Sequence, residues 1–252
     1  MTRQIKVEYL KEKRTANYKL LFIAPLLFVL LSFLLVLLMG PTPDGEHSYI
    51  VAATFNWYSL LILPVIITLM VTNNLKKEKE VNQVFYHTTG ASLTKQMIAK
   101  NLVVMMELFI ILLLSTIFIF LLGSILLEEE LSILVLISVI FYLFIGSLPI
   151  IAISFILYHF FYRTLTLLVN FILGNVAAVI AVESWWWLFP WSYNLRMMAP
   201  ALGVHPNGTF LSSGDALLNQ NTLIIGVIMG LISYFIMLVL QILLTRRQKG
   251  NA

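Results

Sequence analysis

The chain has 252 residues, of which 60% are hydrophobic and 11% charged, with a formal net charge of +4 and no cysteine. That composition lies outside the range of a soluble globular domain, and the length leaves little room for a large domain beyond the apolar runs. Without cysteine there is neither a disulfide framework nor a thiolate metal site.

Residues 1–19 carry Arg3, Lys6, Lys11, Lys13, Arg14 and Lys19 among Ile5, Val7, Tyr9, Leu10 and Tyr18. The pattern fits an amphipathic helix lying along the inner membrane surface or a solvated basic tail. The first apolar run, 20–39, meets the requirement of about 20 residues for a helical span. Gly40-Pro41-Thr42-Pro43 after it offers no small-x-small cleavage pattern, so the run is expected to stay as a helix. A short acidic loop with Asp44 and Glu46 leads to the second run, 51–72. The loop 73–100 then mixes Lys76, Lys77, Lys79, Lys95 and Lys100 with Val81, Val84, Phe85 and Tyr86, whose spacing predicts a short helix.

The third run, 101–127, holds Glu107, the one carboxylate well inside an apolar stretch. Intramembrane ionisable residues are functional candidates, although Lys100 is close enough for an inner-leaflet ion pair or snorkelling. Glu128, Glu129 and Glu130 form a tight turn before the fourth run, 131–160. As a helix of about 45 Å, that run must tilt, kink at Pro149 or protrude. The fifth run, 164–182, follows Arg163 and ends beside Trp185, Trp186, Trp187 and Trp191. Tryptophan at a span end marks the headgroup level. Residues 184–221 read as one or two short interfacial or re-entrant helices broken by Pro200 and Pro206, and the sixth run, 222–244, precedes Arg246, Arg247 and Lys249. Gly226 and Gly230 in that run suit close helix packing or a dimer face.

Fifteen of the sixteen Lys and Arg residues therefore sit beside apolar runs on alternate connections, and only Arg196 breaks the pattern. The positive-inside rule gives an all-α protein with six transmembrane helices and both termini cytoplasmic, in a single transmembrane domain over 1–252. Topology and anionic lipid account for the basic residues, so no nucleic-acid partner is expected. There is no phosphate-binding loop, because Glu46-His47 follows Gly45 where Lys-Ser/Thr is required. The chain alone is expected to be neither an ATPase nor any other enzyme and to hold no cofactor or metal. Its four histidines are scattered over both sides. Intramembrane protease chemistry is not met: Ser147 and His159 share one run, and Leu134 stands where Glu129-Glu130 would need an arginine.

Six spans, inside termini and the loop from Lys79-Glu80 through Phe85-Tyr86-His87 and Thr88-Thr89-Gly90-Ala91-Ser92 to Lys100 resemble the permease subunit of ABC type-2 exporters. Val81-Asn82-Gln83 stands where that family has Gly-Thr-Leu. Phe189-Pro190-Trp191-Ser192-Tyr193, Arg196 and Leu202-Gly203-Val204-His205-Pro206-Asn207-Gly208 resemble the outer segment of lantibiotic-immunity permeases. The resemblance implies a multi-pass protein of the bacterial plasma membrane. A dimer of ATP-binding subunits, which consumes ATP and Mg, would dock on Glu80, Val81, Val84, Phe85, Tyr86 and His87. A second permease, a different chain or another copy, would complete the pathway, and the cargo would be a cationic antimicrobial peptide leaving the lipid. Glu107, Trp185, Trp186, Trp187, Trp191 and Arg196 are then substrate-pathway candidates, the tryptophans serving as cation-binding surface or simply as an interface belt. An outer excess of carboxylates would draw such a peptide. Two other readings stand beside this one: a type-2 permease for another drug, lipid or peptide, and a membrane scaffold or sensor that transports nothing.

Overall fold

The computed structural model describes residues 1–12, 15–40, 42, 48–77 and 92–250. All regular structure among them is helical apart from one isolated bridge, Val204 to Phe210. Six helical segments are long and apolar enough to cross a membrane: Ala16–Leu38, Tyr49–Lys76, Leu93–Leu126, Ile133–Phe160, Arg163–Ile180 and Asn221–Arg247. Each overlaps one expected apolar run.

The helices are α1 (Thr2–Glu12), α2 (Ala16–Met39), α3 (Tyr49–Trp57), α4 (Leu63–Lys76), α5 (Leu93–Leu121), α6 (Ile133–Phe160), α7 (Arg163–Ile180), α8 (Ser192–Leu202) and α9 (Asn221–Gly250). Helix α6 packs against α4, α5, α7, α8 and α9, while α2 lies against α3, α4 and α5. In the 18-residue apolar stretch of each span, 76% of the α3–α4 residues are buried, against 22% for α2 and α7 and 17% for α9. The first is therefore central, and the other three present apolar side chains outward, as helices solvated by lipid do.

Helices α3 and α4 are one continuous span joined by a π turn at Tyr58–Ile62. Pro64 follows at the start of α4 and has no N–H to donate to the preceding turn, a usual cause of a local register change. Gly174 of α7 sits against this irregularity: a Cβ there would lie 2.9 Å from Pro64 Cγ and 3.4 Å from the Leu60 carbonyl oxygen. A second π turn, Leu122–Leu126, ends the third span.

Helix α5 begins at Leu93, eight residues before the expected run at Asn101. The expected boundary followed the charges of Lys95 and Lys100, but Lys100 is fully buried and paired, so the helix continues through it. The segment 184–221 likewise differs from its expectation. Pro200 lies inside α8 and does not break it, and the helix stops at Gly203, which takes the left-handed φ of 69° that suits glycine. Helix α8 is buried along most of its length, with Tyr193, Leu195, Met197, Met198 and Ala199 at 0–1% exposure. It is a short helix wedged against α6, α7 and α9.

Glycines make room for that wedge. A Cβ on Gly146 of α6 would fall 2.2 Å from Asn194 Oδ1, and one on Gly226 of α9 would fall 2.6 Å from Met197 Sδ. A Cβ on Gly230 would fall 3.0 Å from Ile145 Cγ2 of α6. Gly226 and Gly230 thus serve contacts within the chain, which leaves neither as a dimer face.

Candidate functional site

The two described helix ends that border residues 78–91 are fastened by α1. Its sequence pattern puts apolar residues toward lipid and charges toward water, but two carboxylates turn the other way. Glu8 and Glu12 are each 3% exposed, whereas Val7, Tyr9 and Leu10 are exposed. Glu8 Oε2 accepts from Lys100 Nζ at 3.1 Å and lies 3.5 Å from Lys77 Nζ, while Lys11 donates to Oε1 at 2.6 Å. Burial alone would raise the Glu8 carboxyl, but Lys100, Lys11 and Lys77 together hold it below the usual carboxylate range. Glu12 Oε1 accepts from Lys77 and from Asn74 Nδ2, and its Oε2 accepts from the Thr15 hydroxyl at 2.7 Å. Thr15 Oγ1 in turn accepts from Asn17 N at 3.2 Å at the start of α2.

Lys77 follows the last residue of α4, and Lys100 lies two turns into α5. Helix α1 therefore ties both flanks of the 78–91 segment to each other and to α2. Glu80, Val81, Val84, Phe85, Tyr86 and His87, the expected ATPase-coupling residues, lie outside the described residues.

Glu107 belongs to the same end of the bundle. It is 3% exposed, and its Oε2 accepts from Asn17 Nδ2 at 3.1 Å. Asn17 also donates to the Met70 carbonyl at 3.0 Å and accepts from Asn73 Nδ2 at 3.0 Å. One asparagine thus joins α2, α4 and α5 through its whole amide. The snorkelling geometry toward Lys100 is not what forms: Lys100 turns to Glu8, and Glu107 turns to Asn17. On the far side of α5, Asn101 donates to Gln241 Oε1 of α9 at 3.0 Å, and Arg246 donates to Thr94 Oγ1 at 2.5 Å. The described N- and C-terminal helices thus both pack on α5 at this end of the bundle.

The opposite end gathers the tryptophans but divides them. Trp185 and Trp187 are exposed, at 45% and 41%, whereas Trp186 is buried, edge-on to Tyr193 at 6.0 Å. The Arg196 guanidinium lies 5.8 Å from the centre of the Trp186 ring, a cation–π contact. Burial pushes this guanidinium below its ordinary value, and Asp215 opposes that. Trp191 points elsewhere: its indole N–H donates at 3.1 Å to Asn170 of α7, whose amide donates to Thr68 at 2.8 Å and Ser154 at 3.0 Å. Of the pathway candidates, the structure brings Trp186 and Arg196 together, seats Trp191 on a polar seam of α4, α6 and α7, and leaves Glu107 at the other end. The Asn207-Gly208-Thr209 triplet is a local turn, with Asn207 Oδ1 accepting from Thr209 N at 3.0 Å.

Sequence reasoning passed over Glu8, Glu12, Asn17, Asn73 and Asn74. Their signal was present: carboxylates in a basic segment, and amides at the edges of apolar runs. Comparison of the chain with known protein families, curated proteins and solved structures finds no match.

Proposed function

We propose that this chain is the membrane-embedded permease subunit of an ATP-driven type-2 exporter that expels a lantibiotic or similar cationic antimicrobial peptide from the membrane, giving the producing cell immunity to its own product. In this reading the end carrying α1 and most Lys and Arg residues faces the cytoplasm of a bacterial cell, in accord with the positive-inside rule. The observation that supports it most is the clamp made by α1. Buried charges hold Lys77 and Lys100 on either side of residues 78–91, so a push on that segment is delivered to α2, α4 and α5 together. A pair of ATP-binding subunits seated on Glu80, Val81, Val84, Phe85, Tyr86 and His87 supplies the push and consumes the ATP and Mg. A second permease, different or identical, completes the path, and the Trp186–Arg196 corner with exposed Trp185 and Trp187 lies where the peptide leaves.

Affinity capture of the tagged chain from its own membranes is expected to recover an ATPase in stoichiometric amount. Replacing Val81 to His87 with a Gly/Ser segment should abolish that capture while the chain still inserts. Deletion of the chain should make the producer sensitive to its peptide. Capture of no ATPase overturns the export reading; capture with unchanged peptide sensitivity redirects it to another cargo.

A further inference from the structure

At the end of the bundle opposite α1, a cavity of about 260 Å³ opens between the first turns of α3 and α6 and the last turn of α8. Its walls are the apolar side chains of Val51, Ala52, Val135, Leu136, Ala201 and Leu202, and Glu130 stands at its rim. The chain reversal that places Glu130 there is specifically built. The π turn Leu122–Leu126 closes the third span, and Glu128 adopts φ 55°, the only positive φ at a non-glycine residue among the described residues. Such backbone is strained for a side-chain-bearing residue and persists where its surroundings enforce it.

The reversal gives neighbouring carboxylates different work. Glu129 is spent on the scaffold: its N–H donates to the Gly123 carbonyl at 3.0 Å, and its carboxylate accepts from Thr42 at 2.6 Å and from Ser48. Glu130 makes no hydrogen bond or ion pair with any described residue, and it is exposed beside the apolar walls. The N-termini of α3 and α6 converge here and contribute about half a positive charge each, which three carboxylates outweigh. The cavity lies below the roughly 300–1,000 Å³ of small-molecule pockets. Its size suits one side chain, and its chemistry suits an aliphatic stem ending in a positive charge.

We propose that this cavity takes a single lysine or arginine side chain of the exported peptide, its methylenes against the apolar walls and its charge on Glu130. The proposal rests on the export reading above and names the feature of the cargo that this end recognises.

The test uses the full chain in nanodiscs of neutral phosphatidylcholine, with fluorescent tetra-arginine as the probe and tetra-citrulline, its uncharged analogue, as the comparison. Glu130→Gln is expected to weaken tetra-arginine binding about fivefold, the scale of one partly screened ion pair. Ala201→Leu, which fills the cavity and leaves the charge alone, should weaken it comparably. Glu183→Gln, another exposed carboxylate, should change it less than about twofold, and tetra-citrulline should not bind. Equal losses from Glu130→Gln and Glu183→Gln would reduce the effect to the general field and overturn the site. So would unchanged affinity in Ala201→Leu at unchanged melting temperature; if that variant unfolds, the two carboxylate variants decide alone. No ATPase enters this assay, so its failure beside successful ATPase capture removes the cavity assignment and leaves the export reading standing.

Discussion

Glu8→Ala is expected to release α1 from the bundle, raising amide exchange across residues 2–12 by about a hundredfold while α6 stays protected. Glu8 is 3% exposed and Lys100 fully buried. Removing one member of a buried pair costs about 3–5 kcal/mol, because the remaining charge stays in a low-dielectric site. Each 1.4 kcal/mol is about tenfold in an equilibrium, and the loss falls on the opening of α1, which has little other packing to hold it. The double variant Glu8→Leu with Lys100→Met replaces charge by apolar volume and should recover much of the protection, since apolar substitutes for buried pairs are often neutral or better. Unchanged α1 exchange in Glu8→Ala would show that the carboxylate does not hold the helix. On the export reading proposed above, export should fall with the release while a bound ATPase is still captured, because the 78–91 segment is untouched.

Acid should loosen the same clamp. The folded-state value of Glu8 lies below its ordinary one, so this carboxylate stabilises the docked helix at any pH above the ordinary carboxylate range. The stabilisation disappears as pH falls through the lowered value. Protection of α1 should therefore decline on acidification in the parent chain, whereas Glu8→Gln should start lower and show a flatter profile. A parallel decline in both would move the acid response to other groups.

Most of the scaffold could be read from the chain because lipid imposes so few options. A run of about 20 apolar residues has to be a helix that satisfies its own backbone, and all six runs are helical here. What periodicity concealed were departures from amphipathic logic. The pattern of residues 2–12 gives Val7, Tyr9 and Leu10 an apolar face, but it is silent on whether Glu8 and Glu12 meet water or Lys77 and Lys100, residues about 70 and 90 positions away. Charge complementarity, not hydrophobicity, decides that orientation. Lys100 misled in the same way, because a charge ends an apolar run only when it is unpaired. Pro200 and the tryptophans show the limit at the other end: Pro200 near the end of α8 costs a hydrogen bond without ending the helix, and four tryptophans within seven residues part into exposed, cation-bound and amide-bound roles. Those roles follow from how α8 folds back on Trp186 and from the contact of Trp191 with α7, which residue type alone does not encode.

Gly146→Ala should destabilise the protein by about 1–3 kcal/mol, the usual cost of overpacking a filled interior, and push α8 away from α6. The added Cβ would lie 2.2 Å from Asn194 Oδ1 and 2.9 Å from Met197 Cε. Met197 has free torsions and can yield, but Asn194 is held by its amide, which donates to Ser147 Oγ at 3.0 Å on the next residue of α6. Gly226→Ala supplies the contrast, because the nearest atoms to its Cβ all belong to Met197, at 2.6 Å for both Cγ and Sδ. Shortening that side chain by Met197→Ala should relieve Gly226→Ala and only part of Gly146→Ala. The measurement is the melting temperature of the four variants in one detergent, with tryptophan emission reporting whether Trp186 loses its shelter as α8 shifts. Equal rescue of both glycine variants by Met197→Ala would mean that Asn194 moves freely and that α8 is seated by methionine packing alone. Rescue confined to Gly226→Ala would locate the fixed point of α8 at the Asn194–Ser147 bond, with Arg196 and its partner Trp186 positioned from it.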